Sequence, residues 1–332
     1  MEIAVEVPVR VCDVGGWTDT WFAGHGLVCS LAAGPGVSIS ARSQPGTGEV
    51  TLDLADYGMQ VIASSAPPEH SLLAAAVTEA GAVDATDVVM RITSAVPPGS
   101  SLGTSAAICV GIIAALDALR GSSRPPEGLA AAAHRAEAGR LGRQAGVQDQ
   151  AAAAHGGASL IVVDYPRLVR HPIALAPDGW RALDERLVHI AYGPPHDSSA
   201  IHDEVIASLD AAGPSAPRLE ALRVLAAEAG DALRSGDLAR YGRALTSATG
   251  AQMALHSALV SDDARELIER ARTHGALGWK VNGAGGAGGS LSVLCRDPGD
   301  RERVGADARR LGHQTLDLRL DQRGATARVS DR

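Results

Sequence analysis

The chain has 332 residues, 45% apolar and 20% charged, with a formal charge of -8 at pH 7. The length suits two lobes with a sizeable core, the composition excludes an intrinsically disordered chain, and the acidic balance argues against a nucleic-acid partner. No apolar run approaches the roughly 18 residues of a membrane span, and no basic segment leads into an apolar one at the N-terminus, so neither anchor nor leader is expected.

Alternating apolar residues predict a strand over Glu2–Val9, and VVMRIT predicts another over Val88–Thr93 that leads into Pro97-Pro98. SAAICVGIIAALDALR, Ser105–Arg120, is apolar almost all round at first and reads as a buried helix. High helix propensity after a Pro-Pro pair predicts a helix over Glu127–Gly142, and ASLIVVD and RLVHIAY predict strands over Ala158–Asp164 and Arg186–Tyr192. Helices are predicted over Ile201–Leu209, Pro217–Ser235, Leu238–His256 and Asp262–His274. A glycine loop at Gly283–Gly289 feeds a strand at Leu291–Cys295, followed by a helix near Arg301–Leu311 and a strand near Thr315–Leu320. Irregular, proline-containing patterning between Asp164 and Asp184 marks a lobe boundary, placed between residues 175 and 176. Cys12, Cys29, Cys109 and Cys295 form no CxxC pair, which fits a reducing cytoplasm rather than disulfides or a zinc site.

VPPGSSLGTSAA, Val96–Ala107, places small residues between a strand and a helix. Such a turn exposes backbone N–H groups at a helix N-terminus, where the dipole favours an anion such as phosphate; a merely close-packed turn is the alternative. The segment lacks the lysine of a Walker A loop and the GxGxxG spacing of a dinucleotide fold.

The segment resembles the second motif of the GHMP small-molecule kinases, PxxxGLGSSAA. VPVRVCDVGGWTDT, Val7–Thr20, resembles the first motif in its fucokinase and heptose 7-phosphate kinase form, and KVNGAGGAGGSLSVL, Lys280–Leu294, resembles the third. GVQDQAAAAHGG, Gly146–Gly157, is similar to a segment of the heptose kinases. The resemblance implies a two-lobed α+β GHMP kinase fold. Its N-terminal lobe (1–175) would be of the ribosomal S5 domain 2-like type, and its C-terminal lobe (176–332) ferredoxin-like. It also implies ATP and Mg2+ as cofactors and a sugar or sugar phosphate as the small-molecule partner. The activity implied is phosphorylation of a hydroxyl, that of the anomeric carbon foremost, to give a sugar 1-phosphate. A non-catalytic sugar and ATP sensor, or a kinase of a cyclitol or other small alcohol, remains the alternative, and a homodimer is compatible with the sequence.

On the same resemblance Asp149 is the catalytic aspartate, and Arg10 lies beside it and the transferred phosphoryl group. Taken alone, these are equally a cap aspartate and a strand-end arginine. Pro98, Gly99, Ser100, Ser101, Leu102, Gly103, Thr104 and Ser105 form the ATP loop, with Ser105 and Glu137 as magnesium ligands. Trp17, Thr18, Asp19, Asp149, His196, Ser198, Gly283, Gly285 and Gly286 are implied at the substrate, although Thr18 and Asp19 also suit a simple Asx turn. Lys280 either assists with phosphate or sits at the surface. Ser101 replaces a family glycine, which the loop tolerates if that position does not need positive φ. His196 stands where heptose kinases have arginine, so the acceptor can differ or lack a phosphate. A metal site at His196, His202 and Asp203 is disfavoured, because i,i+6 spacing points the two histidines apart.

Overall fold

The computed structural model describes residues 1–65, 71–81, 83, 85–142, 144–194, 199–209 and 213–330. Strand β1 (Glu2–Val14) pairs antiparallel with a 21-residue β2 (His25–Pro45), the register shifting between Val7 and Val9 and again between Val11 and Val14. β3 (Val50–Leu54) and β4 (Met59–Ile62) form a hairpin, followed by helix α1 (Ser71–Ala80) and strand β5 (Thr86–Ser94), which runs parallel to β3. Next come α2 (Thr104–Leu119), α3 (Pro126–His134), a π-helical turn over Arg135–Arg140, and α4 (Gln148–His155). The hairpin β6 (Ala158–Asp164) and β7 (Arg167–Pro172) then pairs through β6 with β2.

The second half begins with α5 (Pro177–Arg186) and β8 (Leu187–Tyr192), then α6 (Ser199–Leu209), α7 (Pro217–Ser235), α8 (Leu238–Leu255) and α9 (Asp262–Thr273). It ends with β9 (Gly278–Val281), β10 (Gly289–Leu294), α10 (Pro298–Arg310), β11 (Gln314–Leu316), β12 (Arg319–Leu320) and β13 (Thr326–Ser330). Two sheets result. One has the path β13-β1-β2-β5-β3-β4, with β12, β6 and β7 attached beside it; the other has the order β11-β8-β10-β9.

The strand expected over Thr315–Leu320 is split. Its first part pairs with β8 and its last two residues with β2, and β13 then returns to β1. The C-terminal segment therefore crosses back onto the N-terminal sheet, and a single cut at 175/176 does not separate the two sheets. The expected Glu127–Gly142 helix is likewise not one regular element, since the π-helical turn takes over at Arg135.

The apolar sequence of α2 is explained by its position: Cys109, Val110, Ile112, Ile113 and Leu116 are fully buried against the sheet and the neighbouring helices. Each large aliphatic side chain so placed contributes about 1.5–3 kcal/mol. The same core reaches α7, α8 and the ends of the second sheet at Leu187, Leu294 and Leu316, while the rest of that sheet packs against α9 and α10 in a core of its own. That continuity fixes the cleft where the N-termini of α2 and α4 meet the end of β1.

Candidate active site

Arg10, only 3% exposed, is brought to the cleft floor by β1. Its Nε donates to Asp149 Oδ1 at 2.8 Å, and its Nη1 donates to the Ser101 carbonyl at 3.1 Å and lies 3.1 Å from Asp13 Oδ1. Burial alone would weaken its proton, but the carboxylates of Asp13 and Asp149 more than reverse this and hold it above the ordinary arginine value. The guanidinium is therefore a permanent charge. Asp149 sits in the first turn of α4 and keeps 30% of its side chain exposed, so a hydroxyl in the cleft can reach it.

Asp19 caps that helix from a distance. Its Oδ2 accepts the Val147 and Gln148 amides at 2.9 and 3.1 Å, and its Oδ1 accepts Gln148 Nε2 at 3.3 Å. The orphan amides and the dipole of α4 thus meet a carboxylate, although no local residue caps the helix. Burial, followed by repulsion from Asp149, pushes the Asp19 carboxyl up to about 6, against the pull of the Gln148 amide. An acid raised in the fold loses stability as pH climbs from its unfolded value near 3.9 to its folded value near 6. Asp19→Asn removes this dependence. Its melting temperature relative to wild type should rise between pH 4 and pH 7, by at most about 3 kcal/mol in free energy; a constant difference in calorimetry across that range would contradict this account of the cap.

The loop Pro98–Ser105 packs against Asp149 through Gly103, its Leu102 fully buried and its Leu102 carbonyl accepting the Arg10 amide at 2.9 Å. Ser101 adopts φ +56°. The position does need the left-handed region, contrary to the condition on which the serine looked harmless. Ser101→Gly removes a strain of about 1–2 kcal/mol against a chain-entropy cost of about 0.5–1 kcal/mol. Urea unfolding should therefore show a stabilisation of about 0.5–1 kcal/mol without loss of ligand binding. Ser105 is exposed in the first turn of α2.

Glu137 is carried by the π-helical turn and accepts Gln150 Nε2 at 2.8 Å. Such turns re-aim side chains at functional sites. Glu137 and Ser105 line the same cleft and offer hard oxygen donors. Among the described residues no group of three or more His, Cys, Asp or Glu side chains could cage a metal. A hydroxyl and one carboxylate do fit Mg2+, which takes few protein ligands and completes its shell with phosphate oxygens and water.

The cleft measures about 1020 Å³ and brings together Arg10, Asp149, Asp19, Trp17, Glu137, Gly283 and the whole loop from Pro98 to Ser105. Three expected substrate residues lie elsewhere. Thr18 is fully buried, donating to the Gly15 carbonyl at 2.7 Å and accepting the Leu27 amide at 3.2 Å, so its hydroxyl fixes the turn rather than facing a ligand. Gly286 donates to the Leu259 carbonyl at 3.1 Å, and a side chain on Gly285 would strike that carbonyl, so both pack against the segment after α8. His196 and Ser198 lie outside the described residues. Lys280 is not at the surface and does not line the cleft: it is 3% exposed and donates to Gln252 Oε1 at 2.7 Å and to the Val281 carbonyl.

Sequence reasoning missed Asp13, Trp21, Phe22 and Gln144, and gave no site role to His202 or Asp203, all of which line the cleft. His202 meets the Trp17 ring edge-on at 4.8 Å, and Asp203 Oδ1 accepts Gln144 Nε2 at 2.7 Å. The available signal was the aromatic pair Trp21-Phe22 directly after the first motif.

A glycine-rich loop opening a helix, facing an Arg–Asp pair in a cleft framed by two sheets, defines a small-molecule phosphotransferase architecture. The chain belongs to the GHMP kinase family: the family model for the GHMP kinases N terminal domain matches residues 71–157, and that for the GHMP kinases C terminal domain matches residues 217–314. It is 31% identical over 228 residues to a mevalonate kinase of Methanothermobacter thermautotrophicus, covering 64% of this chain and 66% of that protein. To a galactokinase of Mycobacterium tuberculosis it is 28% identical over 245 residues, covering 66% of each. The chain thus spans about two thirds of the length of these curated relatives. Among solved structures, a D-glycero-D-manno-heptose 1-phosphate kinase from Bacteroides thetaiotaomicron superposes with TM-score 0.74 at 18% identity, covering 99% of this chain and 100% of that one. A Streptococcus pneumoniae phosphomevalonate kinase in complex with phosphomevalonate and AMPPNP also superposes with TM-score 0.74, at 14% identity over 96% and 99%. No helix among the described residues is long and apolar enough to cross a membrane.

Proposed function

We propose that this protein transfers the γ-phosphoryl group of ATP to a hydroxyl of a neutral, polyhydroxylated acceptor, the anomeric hydroxyl of a sugar foremost, giving a sugar 1-phosphate and ADP. The observation that carries this reading is the 2.8 Å contact between Arg10 and the accessible Asp149, which packs against Gly103 at the start of α2. Those amides and the Pro98–Ser105 loop receive the phosphates, and Ser105 and Glu137 would hold Mg2+. Magnesium, when bound, neutralises phosphate charge. The acceptor oxygen forms a bond to the γ-phosphorus as the bond to the β–γ bridging oxygen breaks. Asp149 orients the hydroxyl and takes its proton, and Arg10 stabilises the charge on the transferred group.

The acceptor class follows from the walls. Trp17, Trp21, Phe22 and His202 offer ring faces and edges, and Asp203 and Gln144 offer polar atoms suited to hydroxyls. Among the described lining residues, Asp13, Asp19, Glu137, Asp149 and Asp203 are acidic, and the fixed cation is Arg10, already paired with two of them. Against these described residues an acceptor carrying its own phosphate or carboxylate would meet net repulsion, since Arg10 is already paired.

ADP release with MgATP and a panel of neutral hexoses, deoxyhexoses, heptoses and cyclitols, set against mevalonate and sugar phosphates, tests this. Turnover is expected with a neutral member. Turnover confined to anionic acceptors would overturn the acceptor class, and none with any would overturn the kinase reading.

A further inference from the structure

Asp13 is fully buried, and two of its polar contacts, Arg10 and Gly283, are with residues that line the cleft. Both carboxylate oxygens accept the Gly283 amide, at 3.0 and 3.1 Å, while Oδ1 lies 3.1 Å from Arg10 Nη1 and 3.8 Å from Lys280 Nζ. Gly283 follows β9 of the second sheet, and Arg10 lies in β1 of the first. The carboxylate therefore ties the two sheets together beneath the cleft.

A guanidinium is a rigid planar fork, so fixing one arm fixes the direction of the others. Asp13 and the Ser101 carbonyl hold Nη1, and Nε then points at Asp149. We propose that Asp13 is a positioning residue, which sets the angle and charge balance of Arg10 and thereby places Asp149 against the acceptor hydroxyl. The proposal rests on the reading of Asp149 given above. The charged groups around the guanidinium are Asp13, Asp149, Asp19 and, on the far side of Asp13, Lys280. Without Asp13 the guanidinium loses the carboxylate that fixes its Nη1 arm and so its direction toward Asp149, and Lys280 loses its counter-charge. The same carboxylate secures Gly283, which lines the cleft, so the loop after β9 and the Arg10–Asp149 pair are held in one arrangement.

A double-mutant cycle separates positioning from mere structural support. Asp13→Asn, nearly isosteric, should lower kcat about 100-fold, the cost of a small misplacement of a reacting group, with KM for ATP changed less than about threefold. In the Asp149→Asn background, where there is no carboxylate left to position, the same change should cost less than about threefold in the residual rate. An equal loss in both backgrounds would overturn the proposal, because a structural defect multiplies through either. Should Asp13→Asn not give folded protein by thermal melting, Asp13→Ser, smaller and still able to accept the Gly283 amide, carries the same cycle. Absence of product from wild type rejects the kinase reading itself. Wild-type turnover and a damaged Asp149→Asn, with Asp13→Asn unaffected, reject this inference alone.

Discussion

Asp149→Asn should lower kcat about 1,000-fold while ATP binding, followed by calorimetry, changes less than about threefold. The amide keeps the size of the side chain and can still accept from Arg10 Nε, so the floor of the cleft stays in place. It cannot take a proton from a hydroxyl, and it removes the charge that orients one. The amides at the start of α2, proposed to receive the phosphates, are untouched, which is why the loss is expected in kcat rather than in nucleotide affinity. A second consequence is readable in the same variant. Repulsion from Asp149 helps to raise the Asp19 carboxyl, so the pH-dependent cost of Asp19 should shrink when the neighbouring charge is gone. If Asp149→Asn turned over at the wild-type rate, the aspartate would be only a residue of the first turn of α4.

Gly103→Ala should be almost as damaging, with kcat/KM for ATP falling about 100-fold. Gly103 has φ +75° and precedes the first residue of α2, so a methyl group there costs about 1–2 kcal/mol in backbone strain. The added Cβ would also stand 3.0 Å from Asp149 Cγ and 3.1 Å from its Oδ2. The Asp149 side chain must shift to admit it, which disturbs its 2.8 Å contact with Arg10. One substitution thus disturbs the phosphate loop and the proton acceptor together. Steady-state kinetics with ATP varied at saturating acceptor checks this, and a variant with wild-type kcat/KM would show that the loop and Asp149 are not packed as described.

Much of the site was legible because its signals are local. VPPGSSLGTSAA carries its turn residues, its glycines and the start of its helix within twelve positions, and the strand-end Arg10 and the QDQ around Asp149 are short-range patterns too. Asp13 was not legible, because its principal partner, the Gly283 amide, is 270 residues away and nothing in RVCDVGG announces it. Asp19 was read as a substrate ligand because a carboxylate in a glycine-rich turn suits hydroxyls, yet its oxygens are engaged by a helix 128 residues further on. Thr18, Gly285 and Gly286 were drawn in by neighbouring motif residues; tertiary packing turns the polar atoms of Thr18 and Gly286 to the Gly15, Leu27 and Leu259 backbone and sets Gly285 against the Leu259 carbonyl instead.

The fold shows the same division. The helices from α6 to α9 were apparent from periodicity, whereas β2 was not, because Gly34-Pro35-Gly36 interrupts it as a turn would. The strand continues through that interruption because β1 shifts its register opposite it, between Val7 and Val9. The split of the last predicted strand between two sheets is equally a tertiary event, with β12 bonded to β2 some 285 positions earlier, as the pairs Arg319–Gly34 and Leu320–Ala33 show.

Phosphorus NMR of the wild-type protein with MgATP and the neutral acceptor panel distinguishes phosphoryl transfer to an acceptor hydroxyl from binding alone. A new phosphomonoester resonance should appear only with acceptor present, growing in step with ADP. Saturable acceptor binding with ATP left intact and no phosphomonoester formed would contradict the account and mark the protein as a sensor.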